Sequence, residues 1–271
     1  MPVRKDASGR RTVQLELVLP ATPEEVWQAI ATGPGISSWF VPTEVEEREG
    51  GAVAFHLGPG MDSVGRVTSW EPPRRFAYEE RDWGPNAPPL ATEFTIEASS
   101  GSTCVLRLVH SLFADTGDWD GQLEGMESGW LGFFDVLKLY LRDFAGQPSA
   151  TFRVMTAAAG TEAERWEVLS RALGLAARAI GERPRTADAN VPPFDGVIER
   201  MVSSPHHEAL VKLDHPTKGA GLFGVYRWDG KVFGVITLFF YGDHAADVAA
   251  RDEPLWRAWM DRTLDAVTER T

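Results

Sequence analysis

The side chains able to do chemistry in this chain are few and scattered. His110 ends the run Thr103–His110, whose alternation puts Cys104, Leu106, Leu108 and His110 on one side and Arg107 on the other. An imidazole on an apolar strand face either satisfies itself on a backbone carbonyl at a cavity rim or orients a ligand's carbonyl or hydroxyl. Tyr78 and Glu80, in the run Arg75–Arg81, are candidates to join it. Arg66 is a further candidate, but strand parity leaves its side undecided. No two carboxylates fall at a spacing that identifies an acid–base couple.

The remaining motifs resolve into structure more readily than into catalysis. Gly219-Ala-Gly-Leu-Phe-Gly224 matches G-x-G-x-x-G, but Val225-Tyr226-Arg227-Trp228 follows as a strand where a dinucleotide site needs a helix. A glycine-rich β-turn is expected there. Asp115, Asp118, Asp120, Gly121, Glu124 and Glu127 miss the register of a calcium-binding EF-hand loop and read as the acidic start of a helix. His206, His207, His215 and His244 lack metal-ligand spacing and are expected on exposed loops. The lone cysteine, Cys104, sits mid-strand among aliphatics and reads as a small core residue. The sequence implies no metal and no cofactor.

Any site must therefore be built from aromatic surface, and one helix supplies most of it. In Gly121–Phe144, Met126, Trp130, Phe133, Phe134, Leu137, Leu141 and Phe144 recur at steps of three and four on one face. Glu124, Ser128, Asp135, Lys138 and Arg142 fall opposite. Gly125, Gly129 and Gly132 form a stripe on the flank, each costing a helix about 1 kcal/mol relative to alanine. Either another element packs tightly there, or room is left beside the aromatic face.

Upstream, Thr12–Leu19 alternates as a half-buried strand, and Thr22-Pro23-Glu24-Glu25 opens a helix with Thr22 as N-cap and Glu25 closing a capping box. Residues 1–11 read as a frayed, disordered terminus. Val41–Glu47, Ala52–Leu57, Ser63–Trp70, Arg75–Arg81, Ala91–Glu97 and Thr103–His110 follow as strands separated by Gly and Pro turns. One face of such an antiparallel sheet is apolar and needs a cover, which the Gly121–Phe144 helix can provide. A strand and helix then recur at Thr151 and Glu162–Leu173. Thr12 to Trp27 and Thr151 to Trp166 are both fifteen residues apart, which points to an internal duplication. Gly181–Asn190 reads as linker. Four strands (Val197–Val202, Ala209–Asp214, Leu222–Trp228, Val232–Tyr241) and a helix over Glu253–Val267 complete a shorter second copy.

Totals narrow the function classes. A net charge of −12 argues against nucleic acid and against adsorption to anionic membranes. One cysteine excludes an intramolecular disulfide framework. No apolar run is long enough to span a bilayer, and no signal-peptide core follows the N-terminus, so a cytoplasmic protein is expected.

The order strand, helix pair, six strands and long helix resembles the START-like (SRPBCC) superfamily, and within it the branch named for the activator of Hsp90 ATPase. The resemblance rests on Ala21-Thr22-Pro23-Glu24-Glu25-Val26-Trp27, Gly50-Gly51, Gly65-Arg66-Val67, Pro72-Pro73-Arg74-Arg75-Phe76, Thr92–Glu97, Leu106–His110 and Gly129-Trp130, in that order. It implies an α+β helix-grip fold, a curved antiparallel sheet around a long C-terminal helix. The START-like domain would span 12–148 and a degenerate second START-like domain 149–271. The fold leaves function undetermined; the aromatic helix face, the glycine stripe and the absence of a catalytic constellation lead to the expectation of non-catalytic binding of a small hydrophobic or aromatic ligand between sheet and helix, by a soluble bacterial-type protein. The expected lining is Trp39, Phe40, Phe55, Phe76, Tyr78, Phe94, Leu108, His110, Trp130, Phe133, Phe134 and Leu137. The alternatives are a polyketide cyclase/aromatase-like enzyme using His110 or Tyr78 for proton transfer, and a chaperone-ATPase-activating interaction module. A protein partner or homodimer stays open. The separate N-terminal domain of the eukaryotic co-chaperones has no counterpart in the sequence.

Overall fold

A computed structural model describes residues 3–5, 10–58, 62–81, 87–98, 103–113, 120–186, 189–203, 206–228 and 230–265. The chain divides into two compact units, Met1–Gly146 and Gln147–Thr271.

The first unit runs β1 (Arg4–Lys5), β2 (Arg10–Leu19), α1 (Pro23–Ala31), α2 (Gly33–Ser37), β3 (Thr43–Val45), β4 (Ala52–Phe55), β5 (Ser63–Glu71), β6 (Arg75–Glu80), β7 (Leu90–Ala98), β8 (Cys104–Phe113) and α3 (Asp120–Asp143). Its eight strands form one antiparallel sheet in the order β1-β2-β8-β7-β6-β5-β4-β3. Alternation decides which side chains face α3: Val13, Leu15, Leu17 and Leu19 of β2 are buried, while Val18 between them is 66% exposed. The outward face carries ion pairs instead, Arg107 with Glu16 and Glu97, and Arg75 with Glu93. Arg10 and Arg11 are not frayed. Both belong to β2, and Arg4 and Lys5 pair with Thr12 and Arg11. A two-residue strand has no periodicity for a sequence to display.

The second unit runs β9 (Ser149–Ala158), α4 (Glu162–Ala172), β10 (Asp195–Val202), β11 (His207–His215), β12 (Gly219–Trp228), β13 (Lys231–Tyr241) and α5 (Ala245–Asp265), with sheet order β10-β11-β12-β13-β9. Its core joins Phe152, Val211, Phe223, Ile236 and Leu238 to Trp256, Trp259, Met260 and Leu264 of α5.

Both units are the same α+β design, a first strand paired to the last of a meander, with a long closing helix. The copies agree in detail. The cross-strand row Val67–Tyr78–Thr92–His110–Val13 has the counterpart Ile198–Val211–Gly221–Leu238–Phe152. A register shift follows Val67 in β5 and Ile198 in β10. Two residues before each shift stands a glycine, because a Cβ at Gly65 would lie 2.9 Å from the Glu79 carbonyl oxygen and one at Gly196 2.1 Å from that of Lys212. Each first helix also opens on a full capping box. Glu25 N–H donates to Thr22 Oγ1 and Thr22 N–H to Glu25 Oε2, and Thr161 with Glu164 repeats the pair. Truncating either cap, Thr22→Ala or Thr161→Ala, is expected to cost about 1 kcal/mol in urea denaturation. Equal small losses would show that the copies spend the same local device.

Several expected boundaries move. Val41–Glu47 contracts to β3, and α5 starts at Ala245 rather than Glu253, running through Pro254. Proline would open a helix at its first turn, which is how the sequence reads, yet here one missing N–H is absorbed inside a longer helix. Gly181–Asn190 is not a free linker at its start: Gly181 N–H donates to the Ile198 carbonyl and Ile198 N–H to that of Glu182. Gly219–Gly224 lies inside β12, not in a turn. There a Cβ at Gly219 would meet the Phe239 carbonyl oxygen at 2.2 Å, and at Gly221 the Phe223 ring at 2.6 Å.

Candidate functional site

The inner face of the first sheet meets α3 through one connected set of rings. Trp130 is its hub, with centroids 4.7 Å from Phe40, 5.3 Å from Phe134, 5.5 Å from His110, 6.0 Å from Trp39 and 6.1 Å from Phe94. Phe40 extends the set to Phe133 at 4.6 Å and Phe55 at 5.9 Å, and Phe55, Tyr78, Phe76 and Phe94 continue it across the sheet. Each such pair adds about 0.5–1.5 kcal/mol beyond area burial. Leu108 is the cross-strand neighbour of Phe94, and both Leu108 and Leu137 are buried. Phe40 alone of the twelve expected lining residues is half-buried.

Elements position these rings by period. α3 supplies Trp130, Phe133, Phe134 and Leu137 from one face, yet Val136, Leu139 and Tyr140 are buried as well, so burial extends beyond the expected stripe. α2 ends beside Trp39, whose indole N–H donates to the Ala29 carbonyl at 2.8 Å. Gly129 is not a point of close approach, since an added Cβ would meet nothing within 4 Å.

Set into this apolar surface is a polar row. Tyr78, Thr92 and His110 sit side by side on β6, β7 and β8, all at most 4% exposed. Thr92 Oγ1 and His110 Nδ1 are 2.9 Å apart in a hydrogen bond. His110 Nε2 is buried and has no hydrogen-bond partner among the described residues. Burial lowers the His110 pKa to about 4, so the ring is neutral at pH 7. The Tyr78 phenol is held well above its ordinary value, first by burial and then by the charge of Glu80, against an opposing effect of Thr92. Glu80 is itself buried, accepts from the Ser63 hydroxyl and is pushed up by desolvation. Arg66 points to the exposed face and takes no part.

Thr92 was not singled out by sequence. Its parity with Phe94 was the available signal; the pairing of β7 with β8 that brings it to His110 was not readable. The second unit holds another unexpected cluster. His207 opens β11, and His206, just before the strand, is buried at 8% exposed rather than lying on an exposed loop. Buried Glu208 accepts from Arg200 and from the Tyr226 hydroxyl, and the His206 ring packs against that of Tyr226 at 5.0 Å, tilted by 40°. His215 and His244 are exposed. Cys104 is fully buried, and burial raises its thiol pKa. Asp115 and Asp118 lie outside the described residues. Among the described residues no group of three or more His, Cys, Asp or Glu side chains could hold a metal ion, and no helix is long and apolar enough to cross a membrane. A groove of about 280 Å³ runs along α5, lined by Glu253, Pro254, Arg257, Ala258 and Asp261.

Residues 20–142 match the family described as Activator of Hsp90 ATPase homolog 1-like protein. No curated protein matches the chain. Among solved structures, CalU16 from Micromonospora echinospora is 23% identical over 52% of this chain and 83% of its own, with a TM-score of 0.43. DynU16 from the dynemicin biosynthetic locus is 17% identical over 95% of this chain and 98% of its own, with a TM-score of 0.42. The di-domain ARO/CYC BexL from the BE-7585A biosynthetic pathway is 15% identical over 96% of this chain and 95% of its own, with a TM-score of 0.46. The family match spans α1 through nearly all of α3 and so takes in the aromatic hub and the polar row. Over residues 20–142, all within the first unit, the chain is thus similar to the Activator of Hsp90 ATPase homolog 1-like family.

Proposed function

We propose that the first unit binds a small apolar or aromatic molecule against the inner sheet face and α3. The observation that carries this reading is His110 Nε2, a polar atom buried among aromatic rings with no hydrogen-bond partner among the described residues. Leaving such an atom unsatisfied costs about 1–3 kcal/mol, which a ligand can recover. The rings around it supply flat apolar surface, and binding requires Trp130 or its neighbours to yield space. The expected lining is the set of twelve residues from Trp39 to Leu137 named above.

The second unit supports a single site per chain. Where the first has Tyr78, Thr92 and His110, the second has Val211, Gly221 and Leu238, and where the first has Glu80 it has Leu213. No polar anchor remains on that face at these positions.

A thermal-shift screen of aromatic hydrocarbons, aromatic ketones and fatty acids tests the reading. At least one class is expected to raise Tm, with a calorimetric stoichiometry of one per chain. The shift should vanish in folded Trp130→Ala and Phe133→Ala. A flat response across all three classes would remove the proposal, and a stoichiometry of two would remove the distinction between the units. The cyclase-like alternative draws on the adjacency of Tyr78, Thr92 and His110. It requires a turnover that His110→Ala abolishes while binding survives.

A further inference from the structure

His110 Nε2, open in the aromatic cluster among the described residues, has a definite sense, and the residue that fixes it is Thr92. Neutral imidazole carries a single ring hydrogen, and the partner of Nδ1 decides where it sits. Here that partner is the Thr92 hydroxyl, 2.9 Å away. Thr92 stands between Tyr78 and His110 in the cross-strand row, with a buried phenol on one side and a buried imidazole on the other. A phenol is the strongest hydrogen-bond donor of the three groups, and an imidazole nitrogen the strongest acceptor. A hydroxyl lying between them therefore gives its hydrogen to the imidazole. The hydrogen on the ring then belongs to Nε2, the atom without a partner among the described residues.

We propose that Thr92 is a positioning residue that donates to His110 Nδ1 and so holds His110 as the Nε2–H tautomer, selecting aromatic ligands that present a neutral acceptor oxygen to Nε2–H. This rests on the inner face being a ligand site, as proposed above. A carbonyl conjugated to a ring is the acceptor that suits the surroundings, because it lies in the plane of the ring system and brings no charge into a buried face. A hydrocarbon of the same shape would fill the rings and leave Nε2–H unsatisfied.

Two measurements test it. In protein labelled with ¹⁵N-histidine, a two-bond proton–nitrogen correlation spectrum at pH 7 should show the His110 ring with hydrogen on Nε2, the signal being identified by its loss in His110→Gln. Thr92→Val should convert the ring to a mixture of tautomers or to Nδ1–H, and Thr92→Ser should keep the original pattern. An Nδ1–H pattern in the unaltered protein overturns the proposal. Calorimetric titrations then compare 9-fluorenone with fluorene and benzophenone with diphenylmethane. The ketone of a pair is expected to bind about tenfold more tightly, the preference falling to about twofold or less in Thr92→Val and His110→Gln and returning in Thr92→Ser. Equal affinity for ketone and hydrocarbon overturns the acceptor selectivity while leaving aromatic binding in place. Failure of all four compounds to bind overturns the selectivity for aromatic acceptors, and only a flat response in the thermal-shift screen as well overturns the binding reading beneath it.

Discussion

Replacing Trp39 by Ala is expected to lower the stability of the protein by about 3–5 kcal/mol, the range for truncating a large buried aromatic. Trp39 is 1% exposed and touches Phe40, Trp130 and Phe134, so its removal opens a void against three rings at once. A second loss adds to the first. The last carbonyls of α1 have no partner within the helix. The Trp39 indole N–H serves that of Ala29 at 2.8 Å, and the Thr32 hydroxyl serves that of Gln28 at 2.8 Å. Trp39→Phe separates the terms, since it keeps most of the ring surface and gives up only the donor; about 1–2 kcal/mol is expected for it. Denaturation in guanidinium chloride followed by far-ultraviolet circular dichroism measures both. A loss below about 1 kcal/mol for Trp39→Ala would mean that the cluster repacks around the gap, and that the rings are not a fixed wall.

How far the sequence led can be judged at particular residues. Trp130, Phe133, Phe134 and Leu137 were legible because a helix of period 3.6 with one buried face writes its geometry into the chain. Phe94 and Leu108 were legible by the period of two. What those periods do not encode is register, which decides that Thr92, rather than a neighbour two residues away, stands against His110. In the second unit the pattern itself fades. Glu208, Ala209, Leu210 and Val211 are buried in succession, so β11 has no alternation to mark its two faces, and neither its start at His207 nor the burial of His206 just before it is written in the pattern. The duplication was legible from one interval, Thr12 to Trp27 against Thr151 to Trp166. Its stronger evidence, the shared register shift after Val67 and Ile198, exists only in the paired strands.

Acid should destabilise the protein through His110, by about 3 kcal/mol between pH 6.5 and pH 4. In the fold its pKa lies at about 4, against 6.5 for a histidine in water, because burial disfavours the imidazolium. A depressed folded value means that the unfolded chain binds the proton first. The stability is therefore fully present above pH 6.5 and is lost as pH falls toward the folded value, at about 1.4 kcal/mol per unit of pKa difference. Other groups titrate in the same window. Glu80, on the same inner face, has a raised pKa, and by the same reasoning its contribution runs the other way, present at low pH and lost as pH rises. Tyr78, beside it, stays protonated throughout, its pKa being raised well above 10. His206 in the second unit has a lowered pKa and adds a loss of the same sign as His110. The comparison that isolates His110 is thus between the unaltered protein and His110→Gln, in which Glu80 and His206 are common to both and cancel in the difference. Urea denaturation at pH 7, 6, 5 and 4 is expected to give a stability difference that shifts by about 3 kcal/mol in favour of His110→Gln on acidification. A difference that stays level across the series would show that His110 meets water or a charge when folded. The open Nε2 at the centre of the proposed site would then no longer be a buried donor waiting for a ligand.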